Sequence, residues 1–368
     1  MVVAYGFKTE IKMQNNRSNH KRPSGAKGGS HKKRRVPNYP RIIGWSMGLI
    51  LVIAVIAIVL RICIWDKGKA YVMTAEDYER INLDTIDNVI LWPSEQINPE
   101  YDGVTDVLVF GNDSFREGSD KGESIMDMFK KEVESDKVKI YDCCLPGSYL
   151  TSFNETEKSP EECPEDYFTL FWLILNTKSK DFSKQNTALN YLDSSKYDID
   201  RYKEVLGILE GVNFDKIDVI MLCYDGHDYL FGKKPINYNI DNPDNAQTEN
   251  VATELGALYV LVNFINNINP NIQFVFVSPA FCYAKNENGK LVSSAKYDTG
   301  YGTIGEYIYT ARYTINNYYP MSYVDIYNGV LINEDNGKHY LENDGITPKE
   351  TARKMIANRL IYLLKERL

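Results

Sequence analysis

Four places in this 368-residue chain gather side chains able to do nucleophilic or acid–base chemistry. Gly111, Asp113 and Ser114 end one apolar run. Gly147 ends another. Asp225, His227 and Asp228 follow a third, and Asp344 and Thr347 precede the last amphipathic stretch. A serine hydroxyl attacks a carbonyl carbon only when a base takes its proton and N–H donors receive the developing oxyanion. Beyond residue 65 only His227 and His339 offer an imidazole. Ser114–His227, with Asp228 or Asp344 nearby, is therefore one candidate pair; a His227 that merely caps or packs its loop is the alternative. His339 reads as a loop residue. Should Asp113, Asp225, Asp228 and Asp344 converge, they would raise one another's pKa. Such a cluster could hold a cation or a basic group, or its members could be solvated separately at loop starts. No metal-ligand spacing accompanies them, so no metal is expected.

The elements that must carry these residues are visible as a strand–helix alternation. TDVLVFG, VKIYDCCLPG, IDVIMLCYDG and IQFVFVSPAF are short apolar runs, the pattern of buried strands. Between and after them lie the helical patterns ESIMDMFKKEVES, PEDYFTLFWLILNTK, IDRYKEVLGILEGV, VATELGALYVLVNFINNI, IGEYIYTARYTINNYY and TPKETARKMIANRLIYLLKERL, the last opened by Thr-Pro. Residues 179–200 have no clear pattern. Alternation of this kind predicts a three-layer α/β/α domain around a mostly parallel sheet, with chemistry at the carboxyl ends of the strands. Three of the four clusters follow such strands, and the fourth opens the final helical pattern.

Taken in order, the clusters resemble the blocks of the SGNH (GDSL-type) hydrolase family, over roughly Thr105 to the C-terminus. VLVFGNDSF approaches its strand ending Gly-Asp-Ser, and CLPGS with Gly147 matches its glycine-bearing turn. VIMLCYDGHDY approaches its Gly-x-Asn-Asp, and Asp344-Gly-Ile-Thr347-Pro its Asp-x-x-His. The resemblance implies a flavodoxin-like fold, a Ser–His–Asp mechanism on esters, and Gly and Asn as oxyanion donors. Ungapped, however, Asp113 takes the nucleophile position with Ser114 one residue later. Asp225 stands for the oxyanion Asn, and Thr347 for the His. Catalytic roles therefore fall to Ser114, Asp113, His227 and Asp344, and oxyanion or substrate contacts to Gly111, Gly147, Asp225 and Thr347. Two functions follow: an esterase or acyltransferase acting on acyl groups of cell-surface glycans, or a catalytically inactive module that binds glycan or scaffolds an envelope complex. The resemblance also implies a membrane-bound O-acyltransferase as partner.

Charge and hydropathy set the surroundings. IIGWSMGLILVIAVIAIVL is 19 residues without a charge, nearly enough to cross a hydrocarbon core of roughly 30 Å. Residues 1–41 carry 11 Lys or Arg and one acid, whereas residues 66–368 carry 30 basic and 49 acidic residues. This asymmetry predicts a disordered cytoplasmic tail (1–41), a transmembrane helix (42–65), a stalk (66–103) with a short helix at TAEDYERINL, and an extracytoplasmic domain (104–368). The basic tail suits anionic lipid head groups, and no nucleic acid is expected. No G-x-G-x-x-G at a strand–helix turn and no P-loop occurs, so no cofactor is expected. Cys223 and Cys282 read as buried thiols, while Cys163 could pair with Cys143 or Cys144. The 27 tyrosines include Tyr229, Tyr238, Tyr283, Tyr297, Tyr301, Tyr307 and Tyr309 near the third and fourth strands. They could form a glycan-facing surface or simply pack. Asn112 and Asn154 begin glycosylation sequons.

Overall fold

The computed structural model describes residues 39–65, 87–154, 156–232, 250–300 and 302–368. The chain divides into two units, Met1–Lys69 and Ala70–Leu368. The first contains helix α1 (Tyr39–Trp65), whose stretch Ile43–Arg61 is long and apolar enough to cross a membrane. The apolar side chains of Ile43–Leu60 are exposed rather than packed in a core. The second unit is the predicted α/β/α domain. The helix expected at TAEDYERINL lies outside the described residues, as do Tyr238 and Tyr301.

Five parallel strands form the main sheet in the order β2-β1-β3-β4-β7: β1 (Thr105–Gly111), β2 (Val138–Cys144), β3 (Ile217–Cys223), β4 (Gln273–Val277) and β7 (Met321–Val324). The strands β5 (Tyr283–Lys285) and β6 (Leu291–Ser293) form a separate antiparallel hairpin. Every residue of β1 and β3 is buried. Successive side chains point to opposite faces, so each strand feeds two cores. Leu108, Phe110, Ile220, Leu222, Phe274 and Phe276 face one side. There they meet helices α3 (Leu170–Ser179), α4 (Ile199–Gly211), α5 (Glu254–Asn266) and α6 (Ile304–Tyr318). Val107, Val109, Val219, Met221, Val275 and Val277 face the other, against α2 (Ile125–Val133) and α7 (Glu350–Leu364). Capping boxes start two of these helices, Ser124 with Asp127 at α2 and Thr303 with Glu306 at α6.

Several boundaries differ from the sequence reading. The last helix begins at Glu350, not at Thr347-Pro348, because Asp344 draws the Thr347 N–H and hydroxyl into a turn of their own. Within 179–200 a short helix spans Ser183–Ala188. Cys143, Cys144 and Cys163 are free, so the disulfide considered for Cys163 is absent: Cys143 and Cys144 are buried strand residues, and Cys163 lies near Asn154 instead. Residues 87–103, the second half of the segment read as a stalk, pack on the domain. Asn88 pairs with Tyr323 beside β7, and the Asp87 carboxylate meets the buried guanidinium of Arg359 and accepts the Asp325 N–H at 2.8 Å.

Candidate active site

β1 lies between β2 and β3, so the chain leaves it toward one side and returns on the other, opening a crevice at the carboxyl ends of β1 and β3. The first residues past those two strands are tied together across it. Asn112, fully buried, donates its amide to Asp225 Oδ1 at 2.9 Å and accepts the Asp225 N–H at 3.0 Å. Asp225 Oδ2 takes the Ser114 N–H at 3.1 Å and the Ser114 hydroxyl at 2.5 Å. Asp225 Oδ1 takes the His227 N–H at 2.9 Å and lies 2.6 Å from His227 Nδ1. The structure thus brings Ser114 and His227 to one carboxylate rather than to each other. The expected hydroxyl-to-imidazole contact is replaced by the sequence hydroxyl, carboxylate, imidazole.

Electrostatics fix the protonation states. Burial works to lower the His227 pKa, but the Asp225 carboxylate against Nδ1, with Asp113 and Asp344 beyond it, raises it to about 9. Burial would raise Asp225, yet the His227 imidazolium and the hydrogen bonds from His227 and Ser114 bring it to about 2. Near neutral pH the ring already carries its proton and the carboxylate is a very weak base, so neither is poised to take the Ser114 proton.

Asp113 occupies the other half of the crevice. Its Oδ2 accepts the Gly147 N–H at 2.8 Å. Gly147 adopts φ +80°, and a Cβ there would come within 2.6 Å of the Tyr197 ring. The turn that aims this donor thus requires glycine. Burial, reinforced by Asp225 and opposed by His227, pushes the Asp113 carboxyl up. The Gly147 N–H is therefore already taken by a side chain of the protein.

The remaining candidates take supporting places. Gly111 lets β1 approach β3 closely, since a Cβ would sit 2.5 Å from the Cys223 carbonyl. Asp228 is buried and anchors the loop after β2, accepting the Leu150 N–H at 3.0 Å, the Thr151 N–H at 3.1 Å and the Thr151 hydroxyl at 3.0 Å. Burial raises its carboxyl to about 7 against those three donors. Asp344 accepts the Ile346 and Thr347 N–H groups and, at 2.5 Å, the Thr347 hydroxyl. Burial opposes these bonds, which nonetheless hold it below the usual carboxylate range. Thr347 is spent on Asp344 and offers no base. His339 is exposed on a short helix, Gly337–Tyr340. Among the described residues no cluster of His, Cys, Asp or Glu could hold a metal ion.

Two supports escaped the sequence reading. Asn112 stood out only as a sequon. Arg201 on α4 is buried and donates to the carbonyls of Asp142 and Cys144, and it pairs with the Asp142 carboxylate at 3.2 Å, which fixes the end of β2 before Gly147. An arginine on an otherwise apolar helix face was the available signal.

No family model and no curated protein matches this chain. Solved structures do. A possible lipase from Chitinophaga pinensis is 16% identical with TM-score 0.41, covering 71% of this chain and 98% of its own. A Lactobacillus plantarum protein is 14% identical with TM-score 0.41, covering 72% of this chain and 99% of its own.

Proposed function

We propose that this is a membrane-tethered, SGNH-like module that binds a cell-surface glycan and does not hydrolyse esters. One observation carries the reading: the Asp225 carboxylate lies between the Ser114 hydroxyl, at 2.5 Å, and His227 Nδ1, at 2.6 Å. A serine nucleophile needs a base at its oxygen, and a hydroxyl donating to an anion of very low basicity is instead held as a structural donor. Asp113 supports the same conclusion, because its oxygen sits where Gly147 would otherwise meet an oxyanion. The α1 helix supports tethering, and the basic flank before it supports a cytoplasmic N-terminus with the domain outside. The O-acyltransferase implied by the resemblance would supply the acyl chemistry that this site lacks.

The test is an activity screen of the purified full chain with nitrophenyl esters and acetylated sugars. The expected rate equals that of the Ser114→Ala variant. Turnover by the wild type that is lost in both Ser114→Ala and His227→Ala would overturn the reading.

A further inference from the structure

Beside the strand-end cluster lies a cleft of about 310 Å³, walled by the end of the Asp228–Gly232 turn, the β5–β6 hairpin, the loop at Tyr297–Thr299 and the Asp344–Ile346 turn. We propose that this cleft is a saccharide subsite that seats one neutral pyranose ring. The inference rests on the binding reading above and deepens it.

Three aromatic rings line the cleft: Phe231, Tyr283 and Tyr297. Phe231 is 60% exposed, although a phenylalanine has no polar atom to favour that position. Its ring rests on the His227 imidazole, centroids 5.3 Å apart and planes inclined by 31°, so it links the cleft to the Ser114–Asp225–His227 chain. An aromatic face fixed in this way suits the apolar C–H face of a sugar. Asp344, held as an anion, and Lys285 supply an acceptor and a donor for ring hydroxyls. The volume is at the lower end of small-ligand pockets, suiting a single ring rather than an extended chain.

The walls are preformed. The Tyr283 N–H donates to the Gly345 carbonyl at 2.8 Å, joining the hairpin to the Asp344 turn. Gly345 has φ +84°, and a Cβ there would lie 2.8 Å from the Tyr283 Cβ. The Tyr229 hydroxyl holds the opposite loop by donating to the carbonyls of Tyr297 and Gly302. Charge argues for a neutral ring over an anionic one. Asp344 faces the cleft, and Asp225 and Asp113 lie close enough to act on His227 just behind Phe231.

The experiment uses the full chain in nanodiscs and measures binding of cellotetraose and chitotetraose by saturation-transfer NMR and calorimetry. Saturable binding of at least one is expected, weakened about tenfold or more, near 1.4 kcal/mol, by Phe231→Ala and by Tyr297→Ala. Tyr309→Ala, which removes a ring 67% exposed on α6 outside the cleft, should leave binding unchanged. Absence of saturable binding to both saccharides overturns the proposal, as does binding indifferent to both cleft substitutions or equally sensitive to Tyr309→Ala. Ester turnover dependent on Ser114 would sink the non-hydrolytic reading and is read on a different product, so the two failures are distinguishable.

Discussion

Thr347→His would place an imidazole beside Asp344, the arrangement a serine hydrolase uses to orient its base. We expect it to restore little activity, less than about tenfold over the uncatalysed background in a nitrophenyl ester assay, because Asp113 still covers the Gly147 N–H and Asp225 still holds Ser114. A large rescue would show the site to be dormant rather than rebuilt. A pH profile probes the same residues. His227, raised to about 9, contributes stability that is complete below its unfolded value near 6.5 and lost as pH climbs through 9. Asp228, raised to about 7, is favoured in its neutral form when folded, so stability falls from about pH 4 to pH 7. Asp225, lowered to about 2, has the opposite sign, with stability lost as pH drops from about 4 through 2. Denaturant midpoints should therefore peak on the acid side of neutrality, and His227→Ala should flatten the slope between about pH 6.5 and 9. A maximum at alkaline pH would contradict these assignments. The sequence displayed most of these residues, since carboxylates and a lone imidazole at strand ends are conspicuous. It did not reveal that Asp225 would stand between Ser114 and His227. That arrangement depends on Asn112 locking the Asp225 backbone across two strands 113 residues apart, and no spacing rule captures it.

At the scale of elements, the Gly147 turn is the most exacting. Gly147→Ala should cost at least about 1–2 kcal/mol from the left-handed backbone alone, with the Tyr197 ring having to move as well. Urea titration measures this, and an unchanged midpoint would mean that the turn can relax. β1 and β3 were legible because strands buried on both faces read as unbroken apolar runs. The pairing of Asn88 with Tyr323 was not, because an isolated bridge at a sheet edge leaves no periodicity. The hairpin β5–β6 escaped for a related reason: each strand is three residues, too short for alternation to register.

The whole molecule is read most directly from its charge asymmetry. Protease added to intact cells should remove the acidic domain while sparing a cytosolic control; protection of both would reverse the proposed orientation. The domain's first described residue also bears on the whole. The Asp87 and Arg359 side chains are both nearly fully buried and ion-paired, which ties residue 87 to the domain's last helix. Removing one partner of a buried pair costs about 3–5 kcal/mol, so Asp87→Ala should lower the unfolding midpoint of the full chain markedly. A change within experimental error would show that residues 87–92 are dispensable packing.

Asn112 carries a consequence for how the chain can be made. Its Asn-Asp-Ser triplet is a valid acceptor for N-linked glycosylation, yet its amide nitrogen is committed to Asp225 and its side chain has no access to solvent. Modification and folding at this residue therefore exclude one another. A chain translocated in a glycosylating host meets the transferase while still extended, and a sugar attached then would block the clasp between the first and third strands. Production in such a host should divide the protein into a folded fraction unmodified at Asn112 and a misfolded fraction glycosylated there, whatever the occupancy of the second sequon at Asn154. Asn112→Gln would abolish the division but lengthen the clasp by a methylene. Ser114→Ala removes the sequon and keeps Asn112, so it is the substitution suited to secretion.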